Sequence, residues 1–115
     1  MKKTKMLKKN YEFKNVLSKG AYIPGKRINA YIAKNKKDIN LLGLAISVKY
    51  GKAFKRNRIK RVLREVYSKS FEDKLNQGIS IIFLCKKNAK YEEINFKNIE
   101  KDMYLIFDKA KVLKS

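Results

Sequence analysis

Positive charge is the feature that most limits what this chain can fold into. The 115 residues contain 30 Lys and Arg against 10 Asp and Glu, which gives a formal net charge of +20. A compact domain with that charge repels itself, so we expect a polyanion to neutralise it. With 44% apolar residues the chain can bury one modest core, and it is too short for two ordinary domains. We therefore expect a single domain over residues 1–115, with nucleic acid as the first candidate partner.

A membrane surface is the second candidate partner for so basic a chain. No stretch approaches the roughly 18 consecutive apolar residues of a membrane span, and the longest apolar segments, 41–48 and 79–85, suit strands. Residues 1–9 carry a positive cluster without an apolar region behind it, which argues against a secretory signal. We expect no membrane partner, a cytoplasmic location, and a basic arm over 1–9 that stays mobile until it meets an anion.

The composition also restricts the chemistry that the side chains could perform. The chain has no histidine, so it lacks the usual general base near neutral pH and the commonest transition-metal ligand. Its single cysteine, Cys85, lies in an apolar strand pattern and is interpreted as a small buried hydrophobe. The acids fall mostly on predicted helix faces, whereas two-metal phosphate chemistry needs convergent carboxylates. We predict no catalytic residue and no metal-binding residue in the protein.

The first half of the chain predicts one helix and then strands. Asn10 is the expected N-cap of a short helix and Gly20 its stop. After a turn at Pro24, residues 27–33 alternate between two faces, with Ile28, Ala30 and Ile32 on one of them, which is typical of a strand. A polar loop then leads to a second strand over 41–48, which we expect a glycine at position 51 to close.

The second half predicts a helix, a strand and a final helix. Apolar residues recur at helical spacing from 55 to 70, and 79–85 is rich enough in β-branched residues to be an interior strand. The last helix carries one apolar stripe, which consists of Phe96, Ile99, Met103, Ile106, Phe107 and Ala110. The expected class is α+β, an α/β sandwich with helices over one central sheet. The strand from 41, the helix from 55 and the strand from 79 could form a crossover unit, for which the pattern alone favours the right-handed form.

The segment from Lys49 to Arg64 has the strongest functional signal. Eight of its sixteen residues are basic, and the first acid is Glu65. On a helical wheel, Asn57, Arg61 and Arg64 lie opposite the apolar stripe. A solvated helix usually alternates Glu and Lys at i, i+4, whereas this one stacks like charges. Because guanidinium groups bind phosphate oxygens in a bidentate manner, we predict a phosphate-binding surface rather than a merely solvated face.

This segment resembles the Arg-Asn-Arg signature of the ribonuclease P protein family, written G-x-A-x-x-R-N-R-x-K-R-x-x-R. Every fixed position is matched between Gly51 and Arg64. Residues 44–47 also resemble the family's strand before the motif, and residues 7–13 its N-terminal helix, so the similarity covers essentially the whole chain. The resemblance implies the order α-β-β-β-α-β-α with a left-handed βαβ crossover, against the right-handed default above.

The resemblance also implies the function. The chain would be an RNA-binding subunit that assists the catalytic RNA of ribonuclease P in removing the 5′ leader from precursor tRNA. It would bind the leader and raise substrate and metal-ion affinity, while the RNA carries the chemistry and binds most of the Mg²⁺. No ion held by the protein alone and no obligate protein partner is expected. The implied RNA-binding residues are Lys49, Lys52, Arg56, Asn57, Arg58, Lys60, Arg61 and Arg64.

A cleft between the first helix and the sheet holds the single-stranded leader in this family. By position, Phe13, Leu17 and Tyr31 would line it. The position of Leu17 is often aromatic in the family, and leucine cannot stack on a base with the same energy. For Phe13 and Tyr31 the alternative interpretation is core packing, since both residue types are common under helices and in strands.

Other classes of protein fit part of this pattern. The charge and the small α+β fold alone would suit a ribosomal or other structural RNA-binding protein. The matched signature distinguishes the chain from that class. A DNA-compacting or membrane-active protein would be supported by a helix-turn-helix or an isolated amphipathic helix, and we find neither. An independent nuclease is the enzyme-class alternative, which cleavage of precursor tRNA by the protein without RNA would reveal.

Overall fold

The computed structural model describes residues 1–114 and contains three helices and five strands. The helices are α1 (Asn10–Lys19), α2 (Ala53–Val66) and α3 (Phe96–Ala110). The strands are β1 (Thr4–Met6), β2 (Ala21–Ile23), β3 (Ile28–Lys34), β4 (Asn40–Ala45) and β5 (Ile79–Cys85). In the described residues, no helix is long and apolar enough to cross a membrane.

All five strands form one mixed sheet in the order β1-β4-β5-β3-β2. β4 is parallel to both β1 and β5, whereas β3 is antiparallel to β5 and β2. The apolar 79–85 segment is therefore the central strand, as its continuous run predicts. Since α2 connects the adjacent parallel strands β4 and β5, the predicted crossover unit is confirmed.

The sheet is covered unequally on its two faces. α2 and α3 pack on one face, where Ile59, Leu63, Ile99 and Phe107 are fully buried in the main core. Only the ten-residue α1 lies on the other face, over a smaller cluster around Ile82. The α+β class and the apolar stripe of α3 are confirmed. The short α1 leaves part of the second face half-exposed.

The N-terminal segment differs from the expected mobile arm. Thr4–Met6 pairs with β4 as an edge strand, and Leu7 N–H continues the pairing by donating to Leu42 C=O at 2.8 Å. Thr4 is buried, and its hydroxyl shares a 2.8 Å hydrogen bond with the phenolic hydroxyl of Tyr67. The pattern Lys-Thr-Lys-Met contains too few apolar residues to predict a strand. Tertiary contacts, and not local sequence, hold this strand in place.

Three element boundaries also differ from the sequence predictions. Helix α1 is capped at Lys9 rather than Asn10, because the Glu12 carboxylate accepts from the backbone N–H groups of Lys8 and Lys9. Strand β4 ends at Ala45, and a 3₁₀ turn over Val48–Tyr50 precedes the glycine at position 51. Regular α-helix in α2 covers 53–66, after which the chain continues as a π turn and a 3₁₀ turn to residue 74.

A buried ion pair fixes α3 against the start of β3. The Asp102 carboxylate accepts from Arg27 Nη1 at 2.8 Å and from Arg27 N at 3.1 Å. Asp102 is only 3% exposed, and Glu93 lies 3.6 Å from Arg27 Nε. Because the carboxylate is nearly out of reach of water, losing Arg27 would leave it as an uncompensated buried charge.

Candidate nucleic-acid interface

The segment between β4 and α2 is held by hydrogen bonds to its surroundings. Tyr50 Oη donates to Ala89 C=O at 2.9 Å, and Arg56 Nη1 donates to Gly51 C=O. Ser47 Oγ accepts from Lys49 N–H at 3.2 Å and begins the 3₁₀ turn. These contacts leave the Lys49 side chain exposed at a fixed position before α2.

Helix α2 has one buried side and one exposed basic side. Ile59, Leu63 and Val66 are fully buried, whereas the side chains across the helix are exposed or half-exposed. We call this set the ridge: Lys49, Lys52, Asn57, Lys60, Arg61 and Arg64. In the described residues none of its basic groups forms an ion pair. The predicted opposition of core and basic faces is therefore confirmed, and the ridge carries uncompensated positive charge.

Two residues of the signature are tied into the fold instead. Arg58 Nη1 donates to Ile94 C=O at 3.0 Å, and its guanidinium lies 5.0 Å from the ring centroid of Tyr91. Arg56 is bound to Gly51 as described above, and both arginines are half-buried. Arg56 and Arg58 thus have structural partners that the sequence did not reveal.

The other face of the sheet brings Phe13 and Tyr31 into one cluster. Tyr31 pairs with Ile82, which in turn pairs with Gly43, so these three positions form a row across the sheet. The ring of Phe13 covers Gly43, since a Cβ at that position would lie 2.7 Å from Phe13 Cε1. Phe13 and Tyr31 are both half-buried and pack around Ile82, with Leu41, Ala45 and Leu84 beside them. We call this half-open surface the cleft.

Leu17 lies one turn after Phe13 on α1 and is 40% exposed, outside the packed cluster. A residue that the sequence interpretation missed, Tyr22, stands next to Tyr31 with ring centroids 5.0 Å apart. Tyr22 is 51% exposed and extends the aromatic surface to the sheet edge. The turn at Pro24 was the available signal, because antiparallel pairing of the segments on its two sides places Tyr22 opposite Tyr31.

Phe54 is a second residue that the sequence interpretation missed. It is 63% exposed in the first turn of α2, between the basic residues of the signature. Val48, in the 3₁₀ turn that precedes α2, is also exposed. Exposed apolar side chains beside unpaired cations are suited to contacts with bases whose phosphates the cations bind.

Some titratable groups outside the ridge have pKa values that their surroundings shift. Burial raises the pKa of the Cys85 thiol to about 11, and burial also raises the pKa of the Tyr67 hydroxyl. The backbone N–H groups of Lys9 and Lys8 lower the pKa of Glu12 at the start of α1. Within residues 1–114, no group of three or more His, Cys, Asp or Glu side chains could hold a metal ion.

The fold and the ridge define a basic α+β protein of the RNA-binding class. A sequence model of the ribonuclease P family matches residues 1–111. The ribonuclease P protein component of Clostridioides difficile is 36% identical over 101 residues, which are 88% of this chain and 87% of the relative. That of Fusobacterium nucleatum is 38% identical over 109 residues, covering 93% and 97% respectively. The chain therefore belongs to the ribonuclease P protein family.

Solved structures agree with this assignment. The ribonuclease P protein of Staphylococcus aureus has a TM-score of 0.78 at 26% identity, and the match covers 95% of this chain and 97% of the other. The Thermotoga maritima protein, at 22% identity, has a TM-score of 0.79 over 90% and 96% of the two chains and supports the fold. The family expected from the signature, and with it the role of a ribonuclease P subunit, is confirmed.

Proposed function

We propose that this subunit assists the catalytic RNA of ribonuclease P by two separate surfaces: the ridge binds that RNA, and the cleft binds the 5′ leader of precursor tRNA. The observation that carries the proposal is the uncompensated ridge. Each Lys or Arg that neutralises a phosphate releases counterions, which supplies affinity without sequence readout. The ridge thus supports assembly with RNA through its phosphate backbone.

The cleft supports the second half of the proposal. Unpaired nucleotides bind proteins by stacking their free base faces on aromatic rings, which base-paired nucleotides cannot do. Tyr22, Tyr31 and Phe13 present such rings on an incompletely covered sheet. β4 contributes Ala45 to the cleft and leads within four residues to Lys49 of the ridge. One RNA complex could therefore contact both surfaces.

The chemistry is assigned to the catalytic RNA. Hydrolysis of a phosphodiester needs a general base or metal-bound hydroxide, and the chain contains no histidine. In addition, the described residues contain no carboxylate cluster for a metal ion. We place the Mg²⁺ ions mainly on RNA, so that the protein raises affinity and organises the substrate. In this scheme it acts in the cytoplasm, where precursor tRNA is processed.

The test of this division of labour is reconstitution. Cleavage of precursor tRNA is measured with the catalytic RNA alone, the protein alone and both together, at low Mg²⁺ concentration. We expect cleavage only where the RNA is present, and faster cleavage with both. Appreciable turnover by the protein alone would show that it is a nuclease in its own right.

The test of the cleft compares substrates with and without a leader. Phe13→Ala and Tyr31→Ala should each weaken binding of leader-bearing precursor by about 1 to 3 kcal/mol, the range for one stacked base. Binding of mature tRNA should hardly change. A core aromatic cut to alanine instead costs about 3 to 5 kcal/mol of folding free energy and lowers every activity together. Equal losses on both substrates, or unfolded variants, would assign these rings to the core.

A further inference from the structure

An apolar groove runs along the exposed side of α3. Two adjoining cavities, of about 450 Å³ and about 320 Å³, open between α3 and the turns that follow α2. Phe71, Lys74 and Tyr104 line both cavities, while Leu105 lines the first and Leu113 the second. We call this surface the α3 groove. Its lining residues are different from those of the ridge and the cleft.

Two apolar side chains at the groove are exposed to solvent. Tyr104 is 52% exposed and Leu105 is 57% exposed, although a helix needs apolar residues only on the side that it buries. On α3 that side contains Met103 and Phe107, which are fully buried. Exposed apolar side chains that adjoin a cavity form a continuous patch, and such patches with a polar rim mark interaction sites. A partner that covers Tyr104 and Leu105 would explain their exposure.

The walls of the groove are fixed before any partner binds. Phe71, at its floor, is 4% exposed and packs against Phe107 with ring centroids 5.2 Å apart. At the far end, Lys114 N–H donates to Lys74 C=O at 2.8 Å and joins the segment after α3 to the turns after α2. A preformed groove loses less conformational entropy on binding than one that the ligand must order.

The rim of the groove offers free positive charges. It consists of three lysines and two carboxylates: Lys74, Lys101, Lys114, Asp73 and Glu100. Both carboxylates have partners within the protein, because Asp73 Oδ1 lies 3.1 Å from Lys3 Nζ and Glu100 accepts a hydrogen bond from Ser70 Oγ. The lysines of the rim form no ion pair among residues 1–114. The rim can therefore receive carboxylates from a partner.

This mixture of charges favours a protein over RNA as the occupant. An RNA backbone is negatively charged at every nucleotide, so it would approach Asp73 and Glu100 as well as the lysines. The ridge, by contrast, contains five basic residues and no acid. A polypeptide can place single carboxylates beside chosen lysines and apolar side chains between them. A second copy of this chain is disfavoured, because both copies carry a net charge of +20.

We propose that the α3 groove binds a short segment of another protein. Apolar side chains of that segment fill the two cavities beside Tyr104, and its Asp or Glu residues pair with Lys74 and Lys101. Binding there is independent of the function proposed above, because the ridge and the cleft are formed by other residues. The subunit can thereby hold a second protein while it is bound to RNA.

A random peptide library displayed on phage tests the chemistry of the occupant. Peptides are selected on the protein assembled with its catalytic RNA, which covers the surfaces that bind RNA, and the enriched peptides are then synthesised. Their affinities for the wild-type protein and for three variants are measured by fluorescence anisotropy. Far-UV circular dichroism checks that all proteins are folded.

The variants separate the apolar from the charged part of the groove. The apolar variant is Tyr104→Gln, which Leu105→Gln replaces if the first does not fold. The charge variant carries Lys74→Gln and Lys101→Gln. The matched control carries Lys87→Gln and Lys97→Gln, which are exposed outside the groove, the ridge and the cleft.

The enriched peptides should contain apolar residues together with Asp or Glu. Their affinity should fall about tenfold for the apolar variant, as for the loss of a central interface residue. It should fall about two- to fivefold for each lysine that the charge variant lacks. The control should bind the peptides as the wild type does, and all variants should stimulate cleavage of precursor tRNA equally.

The absence of an enriched peptide, or peptides that bind all the proteins equally, would overturn the proposal. So would weaker binding of catalytic RNA or precursor tRNA by the charge variant than by the control, since the groove would then bind RNA. A wild-type dimer that Tyr104→Gln dissociates would also overturn it, since the occupant would be a second copy. If the wild type failed to stimulate cleavage while peptide binding still depended on Tyr104, the groove assignment would stand and the function proposed above would be contradicted.

Discussion

Arg58 belongs to the basic signature but contacts the fold, so a substitution there tests which signature residues stabilise the protein and which bind RNA. The family resemblance places this residue with the RNA, whereas its guanidinium donates to Ile94 C=O at 3.0 Å and lies over the ring of Tyr91. The contact joins α2 to the segment that leads into α3. We predict that Arg58→Gln lowers the stability of the whole protein, and that Arg61→Gln does not.

The magnitude follows from the two contacts that Arg58 makes. A hydrogen bond from a charged donor contributes about 1.5 to 3 kcal/mol, and a partly exposed cation–π contact about 0.5 to 1 kcal/mol. Together they amount to about 2 to 4 kcal/mol of the free energy of unfolding. The entropy of unfolding is about 2.1 cal/mol/K per residue, or about 0.24 kcal/mol/K for 115 residues. Arg58→Gln should therefore lower Tm by about 8 to 16 °C.

Urea and thermal unfolding, followed by far-UV circular dichroism, measure this effect. Arg61→Gln is the matched control, because Arg61 is exposed and makes no ion pair in residues 1–114. Its unfolding free energy should stay within about 0.5 kcal/mol of wild type. Its affinity for the catalytic RNA should nevertheless fall about five- to eightfold at 0.1 M salt if Arg61 neutralises one phosphate.

The opposite pattern would refute this reasoning. If Arg58→Gln unfolds at the wild-type urea concentration and temperature, the contacts with Ile94 and Tyr91 contribute nothing measurable to stability. If it also loses RNA affinity as Arg61→Gln does, the guanidinium leaves these partners and binds phosphate. Arg58 would then belong with the ridge.

Three further predictions concern other parts of the fold. Asp102→Ala should cost about 3 kcal/mol of unfolding free energy in urea, at the lower end of the range for breaking a buried pair, because it removes the 2.8 Å partner of Arg27 while Glu93 stays 3.6 Å from Nε. A decrease below about 1 kcal/mol would mean that Glu93 and water compensate the guanidinium. Gly43→Ala should displace the Phe13 ring from the sheet and weaken binding of leader-bearing precursor more than binding of mature tRNA; equal effects on both would contradict a role of that ring in leader binding. Burial raises the pKa of Cys85 to about 11. Iodoacetamide should therefore alkylate the native protein at about pH 8 far more slowly than the urea-unfolded protein, and the native rate should keep rising with pH towards about 11. Equal rates for the native and unfolded proteins would show that the thiol is accessible.

Strong periodic patterns were sufficient to predict much of the fold. β5 could be identified because a continuous β-branched run is typical of a strand buried on both faces. α3 could be identified because its apolar stripe must be buried against the core. β1 could not be identified, because Thr4 is held by a hydrogen bond to Tyr67, a residue far along the chain. The apolar pattern after Ala45 also suggested a longer β4, but Ser47 starts a turn by accepting from a backbone N–H.

The basic surface was predictable in position but not in detail. Residue types and spacing placed Arg61 and Arg64 opposite the core, and the structure agrees. The same pattern could not show that Arg58 binds the carbonyl of Ile94, because that partner lies 36 residues away. A basic residue in the sequence indicates attraction to anions, whereas long-range contacts decide whether its side chain is free to bind one.

The strand order has a consequence for how the chain folds during synthesis. β3 and β4 are made early, but each pairs with β5 and they do not pair with each other. At about 5 to 20 residues per second, the ribosome needs about 2 to 7 seconds to pass from the end of β4 at Ala45 to the start of β5 at Ile79. Throughout that interval the nascent strands have open edges, which are prone to aggregate. The high positive charge of the chain makes neighbouring nascent copies repel one another and so protects the protein before its central strand exists.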